Sequence, residues 1–509
     1  MTENSSKILK GKRVLIFQQR NWGRGIGHFL AKKLQAEGCH LAALTLKRTI
    51  HEFVLNQNEV KYDLVISNDE IMGNPRKYLA GDEYALEEIC RELNVDSIWP
   101  AVSSMRNHVK SYKDKFYYSF RQNVPDEEIV DFVMALYKCV KTVFRDFQPD
   151  LIIVPNFPSL PHIMFNLYAR KHNVPMIGIT DSRVSGYYIF SHSYLSDREP
   201  FYDRLEMLNS EKADSPNFEK AGKYIEEFQK TFNRSPATRP VHRNLWQKIR
   251  RQLSPFYHIY KWYVDRPINY LESTEITIDY RPPRIILRDH YARMRNEKFM
   301  DTYDYYPLEK LKKFIYFPLQ VQPEETIDVY SPFFNNQIET ARLVAQSLPD
   351  DYTLVVKEHP GMYGLRSPSY LEKIARTPNI KLVDYRIGSG ELLRRADLII
   401  APGGTSLAEA AFCLKPVIQL GDLGLTLRLP TVFHHTDMTT LAAKIKEILG
   451  MDLVTAENRR RLQNFVAAVY DTGFDFDYNA AWGKGRGDKE EMWRIYREEI
   501  ERNLSSKHK

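Results

Sequence analysis

Residues 398–410 read LIIAPGGTSLAEA, and this stretch decides the fold. The apolar run at its start has the length of a buried strand, Pro-Gly-Gly ends that strand, and a helical pattern follows. Strand, glycine loop and helix in this order are typical of a parallel sheet wrapped by helices. The stretch therefore predicts an α/β domain whose ligand crevice lies beyond the carboxyl ends of its strands.

The same alternation of strands and helices extends over two parts of the chain. In the second half we predict strands at residues 313–317, 353–356, 380–383, 398–401 and 416–420. In the first half we predict strands at 13–17, 41–46, 64–66, 151–154 and 176–179, with a glycine turn at 23–27. Two such series predict two Rossmann-type, doubly wound parallel-sheet domains that face a cleft.

The strand signal fades between the two series, which suggests how the 509 residues are divided. Long polar, basic and aromatic stretches take over there, and the last residues have a helical pattern. We predict an N-terminal Rossmann-like domain (1–202), a mainly helical connector (203–310), a C-terminal Rossmann-like domain (311–450) and C-terminal helices that pack back across the domains (451–509).

Composition excludes several classes of protein. The apolar fraction of 43% is that of a folded globular chain, and no run approaches the roughly 20 apolar residues of a membrane span. We therefore expect a cytoplasmic protein. A net charge of +7 permits an anionic partner without requiring one. The compact signatures of nucleic-acid binding are missing, so we expect no nucleic-acid partner.

Three loops follow strands of the second domain and lie on one edge of its predicted sheet. They read PLQVQPEET (318–326), KEHP (357–360) and PGGTSLAE (402–409). Glycines let a backbone approach a phosphate, and a helix N-terminus supplies N–H donors. We predict a nucleotide site formed by Gln320, Gln322, Glu324, Lys357, His359, Pro360, Gly403, Gly404, Thr405, Ser406 and Glu409.

Each member of this site has a possible role and a plainer alternative. Thr405 and Ser406 can donate to a phosphate, and the Glu409 carboxylate can accept both hydroxyls of a ribose. Alternatively, Ser406 is a helix cap and Glu409 completes a capping box. Lys357 and His359 would neutralise phosphate charge, or they are an exposed lysine beside Glu358 and a packed loop histidine.

The segments YFPLQVQPEETID (316–328), VVKEHP (355–360) and PGGTSLAEAAFCLKPVIQLG (402–421) together resemble the capsular polysaccharide synthesis family of bacteria, whose members look like GT-B glycosyltransferases. The resemblance covers about residues 311–425. It implies a GT-B-like fold and a nucleotide-sugar donor without a separate cofactor. Better-understood branches of the family transfer 3-deoxy-manno-octulosonic acid from CMP.

The resemblance also implies roles for particular residues. In related CMP-sugar transferases a His-Pro motif binds the nucleotide phosphate, which would map onto His359 and Pro360, and a Ser or Thr helps, which would map onto Thr405 or Ser406. Those enzymes often carry an acidic-acidic-Gly motif for the catalytic base. The nearest string here, NDEIMG at 68–73, does not fit that motif.

An inverting transfer needs a base in the first domain. We predict Asp181, which ends the strand at 176–179, with Arg183 beside it to hold an anionic acceptor or a sugar carboxylate. A turn carboxylate paired with Arg183 is an equally open interpretation. His28, after the glycine turn, is a further candidate for contact with acceptor or sugar, although the glycine pattern lacks the acidic residue of a dinucleotide site.

Two further stretches bear on partners. Asp475 and Asp477 have a metal-binding spacing but lie in the tail beside glycine and aromatic residues, so we expect no obligatory metal. The four cysteines are scattered, which argues against a zinc site. The basic aromatic stretch 246–263 favours core packing; the alternative is peripheral association with the cytoplasmic face of an anionic membrane.

The sequence leaves several functions open. A glycosyltransferase of capsular or lipopolysaccharide-type polysaccharide synthesis, acting on a glycan or lipid-linked glycan acceptor, is our first interpretation. A sugar-nucleotide epimerase would have the same architecture and need no acceptor. A non-catalytic assembly factor would bind without turnover, and a polyol-phosphate transferase would share the His-Pro chemistry.

Overall fold

The computed structural model describes residues 6–105, 124–198, 200–232, 245–269, 281–475 and 488–505. Within these ranges the strands form two six-stranded sheets. The strands of the first sheet are β1 (Arg13–Gln18), β2 (His40–Thr45), β3 (Leu64–Ser67), β4 (Leu151–Ile153), β5 (Met176–Asp181) and β6 (Tyr188–Ser191). Those of the second are β7 (Phe314–Pro318), β8 (Thr353–Lys357), β9 (Ile380–Val383), β10 (Leu398–Ala401), β11 (Val417–Gln419) and β12 (Val432–His434).

Both sheets have the same strand order. The first runs β3-β2-β1-β4-β5-β6 and the second runs β12-β11-β10-β7-β8-β9. All neighbouring strands are parallel except β6, which pairs antiparallel with β5. In this order the chain reverses direction across the sheet between β1 and β4, and again between β7 and β10, which is where doubly wound proteins bind ligands. The predicted α/β class with two Rossmann-type sheets is confirmed.

The α-helices of the described ranges alternate with these strands. They are α1 (Ser6–Leu9), α2 (Arg20–Trp22), α3 (His28–Ala36), α4 (Arg48–Asn56), α5 (Asn68–Gly73), α6 (Pro75–Leu79), α7 (Leu86–Leu93), α8 (Trp99–Val102), α9 (Asp126–Thr142), α10 (Leu160–Lys171), α11 (Pro200–Asn209), α12 (Phe218–Thr231), α13 (Leu245–Asn269), α14 (Pro283–Thr302), α15 (Glu325–Asp328), α16 (Gln337–Gln346), α17 (Pro368–Ala375), α18 (Ser389–Arg395), α19 (Thr405–Phe412), α20 (Leu441–Leu449), α21 (Ala456–Thr472) and α22 (Lys489–Ser505).

The central strands explain why the apolar runs could be found from sequence. Val14 to Phe17 of β1 and Phe314 to Phe317 of β7 are buried. A parallel strand covered by helices on both faces is apolar at successive positions, because neither face meets water. This continuous pattern marks the centre of each domain.

The glycine segment at 23–27 is not an open turn. Gly23–Gly27 is a π-helical turn that joins α2 directly to α3, so a nearly continuous helix follows β1. The glycines are needed for packing, because a Cβ atom on Gly27 would lie 2.6 Å from Trp22 Cζ3 and would also contact Gln18. The predicted glycine loop is wrong, since the segment brings a helix against β1 and does not present its backbone to a ligand.

The C-terminal helices return to elements formed early in the chain. Helix α21 packs on α11 and α12, and α22 packs on α1 and α3 of the first domain. Tyr496 and Ile500 of α22 are buried in the same apolar cluster as Val14 and Ile16 of β1. The core of the first domain therefore includes residues from the far end of the chain.

The aromatic stretch 246–263 is wrongly predicted as core. In α13 the side chains of Trp246, Phe256 and Tyr260 are exposed, whereas Trp262 is buried. The helix contacts α14 and α4 through its other side. Aromatic composition suggested burial here, but most of the aromatic rings lie at the surface.

We predict that Gly27→Ala destabilises the first domain by about 1–3 kcal/mol, because the added methyl group has no space beside Trp22. The midpoint of urea denaturation, followed by circular dichroism, measures the effect. Gly450→Ala is the matched control, since a Cβ atom there meets nothing closer than 3.5 Å. Equal midpoints for the two variants would contradict this packing role.

Candidate functional site

The carboxyl edges of the two sheets face each other and touch. Glu325, the first residue of α15 after β7, accepts hydrogen bonds from Asn156 Nδ2 (2.8 Å) and from the backbone N–H of Phe157 (3.2 Å), both in the loop after β4. Gly424, after β11, donates its N–H to the carbonyl of Leu195, after β6. Ligand crevices of both domains therefore open into one cleft.

A cavity of about 370 Å³ lies in this cleft. Its first-domain wall takes residues from the carboxyl end of four successive strands, and its second-domain wall is the segment 323–325. The lining residues are Gln19, Arg20, Leu46, Lys47, Asn68, Asp69, Met72, Ser104, Met105, Asn156, Pro158, Ser159, Pro161, His162, Pro323, Glu324 and Glu325. Most of these side chains are polar, so the cavity suits a hydroxyl-rich ligand.

The cavity wall combines cations with hydrogen-bond acceptors. Arg20 follows β1 and Lys47 follows β2, so two positive charges flank one side. Asn68 is 4% exposed, and its Oδ1 has no hydrogen-bond partner among the described residues, as is also true of Asn156 Oδ1. A buried acceptor without a partner is costly unless a ligand or water donates to it.

His162 stiffens the back of the cavity. It is fully buried, and burial lowers its pKa to about 3, so the ring is neutral. Its Nε2 donates to Gln19 Oε1 (3.0 Å), while Nδ1 accepts from the Ser159 hydroxyl (3.1 Å). The ring thus joins the loop after β1 to the N-terminus of α10, and it is a positioning group.

The Glu325 carboxyl group lies where the two domains contact each other. In addition to its bonds with Asn156 and Phe157, it accepts a hydrogen bond from Tyr330 Oη (2.8 Å). Burial raises the pKa of Glu325, and the neighbouring Glu324 raises it further. A carboxyl group that is half-buried, oriented by three donors and placed in a cavity is a good candidate for proton transfer.

On the second-domain edge, a buried ion pair holds the loops in place. Arg366 is fully buried and donates from Nη1 to Glu358 Oε1 (2.8 Å) and from Nη2 to the carbonyl of Gln320 (2.6 Å). Burial raises the pKa of Glu358, and the charge of Arg366 opposes that rise. Lys357 and Glu358 are both buried, so the alternative of an exposed pair is wrong.

The position of the His359 ring is also fixed. Its Nδ1 accepts the backbone N–H of Gly361 (3.0 Å), and the backbone N–H of His359 donates to Glu358 Oε1 (2.7 Å). Because Nδ1 is an acceptor, the ring proton is on Nε2. Pro360 begins the 3₁₀ turn that follows, and both residues are half-buried at the edge of the sheet.

The glycine loop opens α19 in the predicted place, but its cap is Gly404. This residue has φ 108°, a left-handed conformation that suits glycine, and the helix begins at Thr405. The alternative in which Ser406 is the cap is therefore wrong. Thr405 is exposed at the first turn, with Ser406 half-buried beside it and Glu409 half-buried one turn later.

The loops after β7 and β10 pack directly on each other. A Cβ atom on Gly404 would lie 2.9 Å from Gln320 Cδ, and one on Gly403 would lie 2.8 Å from Thr326 Cγ2. Both positions therefore need glycine, because a larger side chain would clash with Gln320 or Thr326. The glycine loop stands beside the residue that follows Glu325, so the second-domain edge and the cavity are continuous.

Three predicted site residues of the loop after β7 bind mainly to the protein itself. Gln320 Nε2 donates to the carbonyl of Pro318, and Gln322 Nε2 donates to the carbonyl of Asn335. Glu324 caps α15 by accepting the N–H of Thr326 (2.9 Å), and it also lines the cavity. Gln320 and Gln322 therefore shape the edge.

The first-domain candidates lie outside the cavity lining. Asp181 is the last residue of β5, its side chain is 56% exposed, and it accepts the N–H of Arg183 (2.9 Å). This is the turn arrangement that the sequence left open. The His28 Nε2 atom is 2.8 Å from Glu59 Oε2, and Glu59 also pairs with Lys32.

Sequence reasoning selected Glu324 but missed the other residues that line the cavity. Arg20, Lys47 and Asn156 each follow the end of a first-domain strand, so the rule applied to the second domain would have selected them. Glu325 was inside a quoted segment but was not chosen. Its signal depends on contact with the first domain, which the local sequence does not contain.

Among the described residues, no group of three or more His, Cys, Asp and Glu side chains is arranged to hold a metal ion. The Asp475 to Asp477 spacing extends outside the described ranges. Among the described helices, none combines the length and apolar character needed to cross a membrane.

Fold and site together define a two-domain α/β protein of GT-B-like organisation, with a polar cavity between its two Rossmann-type sheets. No protein-family model matches the chain, and a search of curated proteins finds no match. The predicted relationship to the capsule family therefore stays a prediction.

Solved structures with a similar arrangement include three kinds of protein. KpsC of Thermosulfurimonas dismutans, a beta Kdo 2,7 transferase, is 13% identical with a TM-score of 0.34, over 70% of this chain and 87% of that one. A UDP-GlcNAc 2-epimerase from Neisseria meningitidis, bound to UDP-GlcNAc, is 12% identical with a TM-score of 0.24, over 90% and 99%. A glycotransferase of kitacinnamycin is 10% identical with a TM-score of 0.25, over 91% and 96%. These similarities are too remote to place the chain in any of the three groups.

We predict that Glu358→Ala lowers the free energy of unfolding by about 3 kcal/mol or more, because it leaves the buried Arg366 without its carboxylate partner. Urea denaturation at neutral pH measures the change. The control is Glu339→Ala, which breaks an exposed pair with Arg342 and should cost less than about 1 kcal/mol. A loss at Glu358 no larger than that at Glu339 would show that the pair does not hold the edge.

Proposed function

We propose that the protein is a glycosyltransferase of surface polysaccharide synthesis that transfers a sugar from a nucleotide donor to a glycan or lipid-linked glycan. A CMP-activated acidic sugar is our first candidate for the donor. The observation that carries the proposal is the meeting of two carboxyl sheet edges around a polar cavity of about 370 Å³. A transferase needs this arrangement, because two substrates must approach each other away from water.

The donor is assigned to the second-domain edge. The start of α19 offers backbone N–H groups and the hydroxyls of Thr405 and Ser406 to a phosphate. His359 can donate from Nε2, Lys357 adds positive charge, and Glu409 is one turn into the helix, where its carboxylate can accept ribose hydroxyls. No separate cofactor or metal is required in this scheme.

The acceptor is assigned to the cavity. Its unpartnered amide oxygens on Asn68 and Asn156 are suited to sugar hydroxyls, and Arg20 and Lys47 are suited to an acidic substituent. An acceptor bound there lies against Glu325, while the donor lies beyond Thr326 on the adjoining glycine loop. This position favours Glu325 over the exposed Asp181 as the catalytic base.

The chemical step is a direct displacement at the anomeric carbon. The acceptor hydroxyl gives its proton to the Glu325 carboxylate as its oxygen forms a bond to the anomeric carbon. The bond from that carbon to the donor phosphate breaks, and its electron pair stays on the phosphate oxygen. The Nε2–H group of His359 and the N-terminus of α19 stabilise that developing charge.

We predict that Glu325→Gln stabilises the protein near neutral pH while lowering transfer. Because the folded-state pKa of Glu325 is raised, the stability linked to its protonated form is present below the ordinary glutamate pKa of about 4.3 and is lost as pH rises through the folded-state pKa. Glutamine cannot ionise and avoids this loss. Urea denaturation at several pH values should show a gain above the folded-state pKa that vanishes in acid.

The same variant tests catalysis. The loss of a general base typically slows the reaction by about 100-fold or more, and donor binding should be unchanged because Glu325 faces the acceptor. Glu309→Gln, at an exposed carboxyl, is the control for both measurements. Full transfer activity in Glu325→Gln would show that Glu325 is not the catalytic base. Unchanged stability at every pH would show that ionisation of Glu325 does not destabilise the folded protein.

We predict that nucleotides raise the thermal stability of the protein, with CMP and CMP-sugars giving the largest shift, because a ligand that binds only the folded state stabilises it. The measurement is a thermal-shift panel of CMP, CDP, UDP, GDP and their sugars, with and without EDTA. His359→Ala and Glu409→Ala should abolish the shift without unfolding the protein. His40→Ala, at a histidine on the exposed start of β2, should keep it.

The alternatives give different results in this panel. Stabilisation by UDP or GDP would change the assignment of the donor nucleotide. Loss of the thermal shift in EDTA would contradict metal independence. Conversion of a nucleotide sugar without any acceptor would identify an epimerase, and transfer of glycerol or ribitol phosphate would identify a polyol-phosphate transferase. Binding without turnover would favour an assembly factor, and normal binding in both variants would overturn the site.

A further inference from the structure

Helix α13 has a continuous apolar face that points into solvent. Residues 246, 249, 253, 256, 257, 260, 263 and 264 recur at spacings of three and four, which places them on one side of the helix. We call these residues the aromatic face. The exposed fractions of its rings are Trp246 79%, Phe256 62%, Tyr257 58%, Tyr260 62% and Tyr263 65%.

The opposite side of α13 holds the helix on the protein. Pro255 and Trp262 are buried there, and the helix contacts α14 and α4. Arg251 forms an ion pair with Glu297 of α14. One side of α13 therefore packs on the protein, whereas no described residue covers the aromatic face.

Charge indicates what covers the aromatic face. Asp265 is the one acidic residue in the sequence of α13, whereas Lys and Arg recur along it. Arg250 is exposed next to the aromatic face. Lys261 lies on the same flank, where it pairs with Asp265 at 3.5 Å. Tryptophan and tyrosine rings flanked by basic residues are suited to the boundary between lipid headgroups and acyl chains, where rings enter the apolar layer and cations meet anionic headgroups.

We propose that the aromatic face of α13 docks the protein on an anionic lipid bilayer as a peripheral, non-spanning contact. A large exposed apolar surface on a chain of this kind marks an interaction site. The excess of five basic residues over one acidic residue in α13, with Arg250 exposed beside the aromatic face, makes an anionic lipid surface the best complement. This inference goes beyond the proposed function and does not depend on the identity of the donor or acceptor.

The attachment of α13 places the bilayer contact close to the cleft. Helix α4, on which α13 packs, begins directly after the cavity residue Lys47. Helix α14 reaches the second domain, where Asn296 Nδ2 donates to the carbonyl of Gly364, in the segment that follows His359. The α13–α14 pair therefore bridges both domains beside the cleft, and docking would bring that edge towards lipid-linked molecules.

The test is co-sedimentation of the full chain with vesicles of phosphatidylcholine mixed with phosphatidylglycerol, compared with vesicles of phosphatidylcholine alone. We expect binding to the mixed vesicles, weakening at high salt, and a blue shift of tryptophan fluorescence that is reduced in Trp246→Phe. Phe256→Ser with Tyr260→Ser should weaken vesicle binding by about tenfold or more, because both rings leave the apolar layer.

The matched control is Phe333→Ser, which removes a ring that is 79% exposed elsewhere on the chain and should leave vesicle binding unchanged. Circular dichroism confirms that each variant is folded. Absence of binding to the mixed vesicles, or equal binding by the Phe256 and Tyr260 variant, would overturn the proposal. A dimer in analytical ultracentrifugation that this variant converts to monomer would show that a second copy of the chain covers the aromatic face.

Discussion

The ion pair between Glu358 and Arg366 is the constraint on which the cleft depends. Through Arg366 it holds the carbonyl of Gln320, and through Glu358 it holds the N–H of His359. The Gln320 side chain then lies against Gly404 at the start of α19. One buried pair thus sets the relative positions of the three loops at the second-domain edge, and a buried charge can be kept only when its partner is present.

The same loop after β7 connects the two domains. It begins at the ion pair and ends at Glu325, whose carboxyl group is held by Asn156 and Phe157 of the first domain. Desolvation of that carboxyl group raises its pKa, which lowers the stability of the folded protein when the group is ionised. A group with a raised pKa in a cavity is also suited to exchange protons with a ligand. The region that orders the nucleotide edge is therefore also the region that closes the cleft.

The sequence was sufficient where the physical signal is local. Continuous apolar runs marked the strands around β1 and β7, and PGGTS marked the start of α19 to within one residue. It was insufficient where the signal comes from distant contacts. The importance of Glu325 depends on Asn156, which is 169 residues away in the chain. The antiparallel strand β6 was missed because its short apolar run resembles a loop after Asp181. The aromatic residues of α13 suggested burial, because no local rule separates a core ring from an exposed one.

Helix α22 has a consequence for how the protein is made. It supplies Trp493, Tyr496 and Ile500 to the core that β1 begins, and Arg497 pairs with Glu37 across 460 positions of sequence. The ribosome releases β1 long before α22 exists, so the first domain emerges with an apolar surface that stays uncovered until α22 has been made. The second domain, complete within a much shorter span, is free to fold earlier. The domains would then fold in the reverse of the order in which they are synthesised. The N-terminal half would fold last and would depend longest on chaperones.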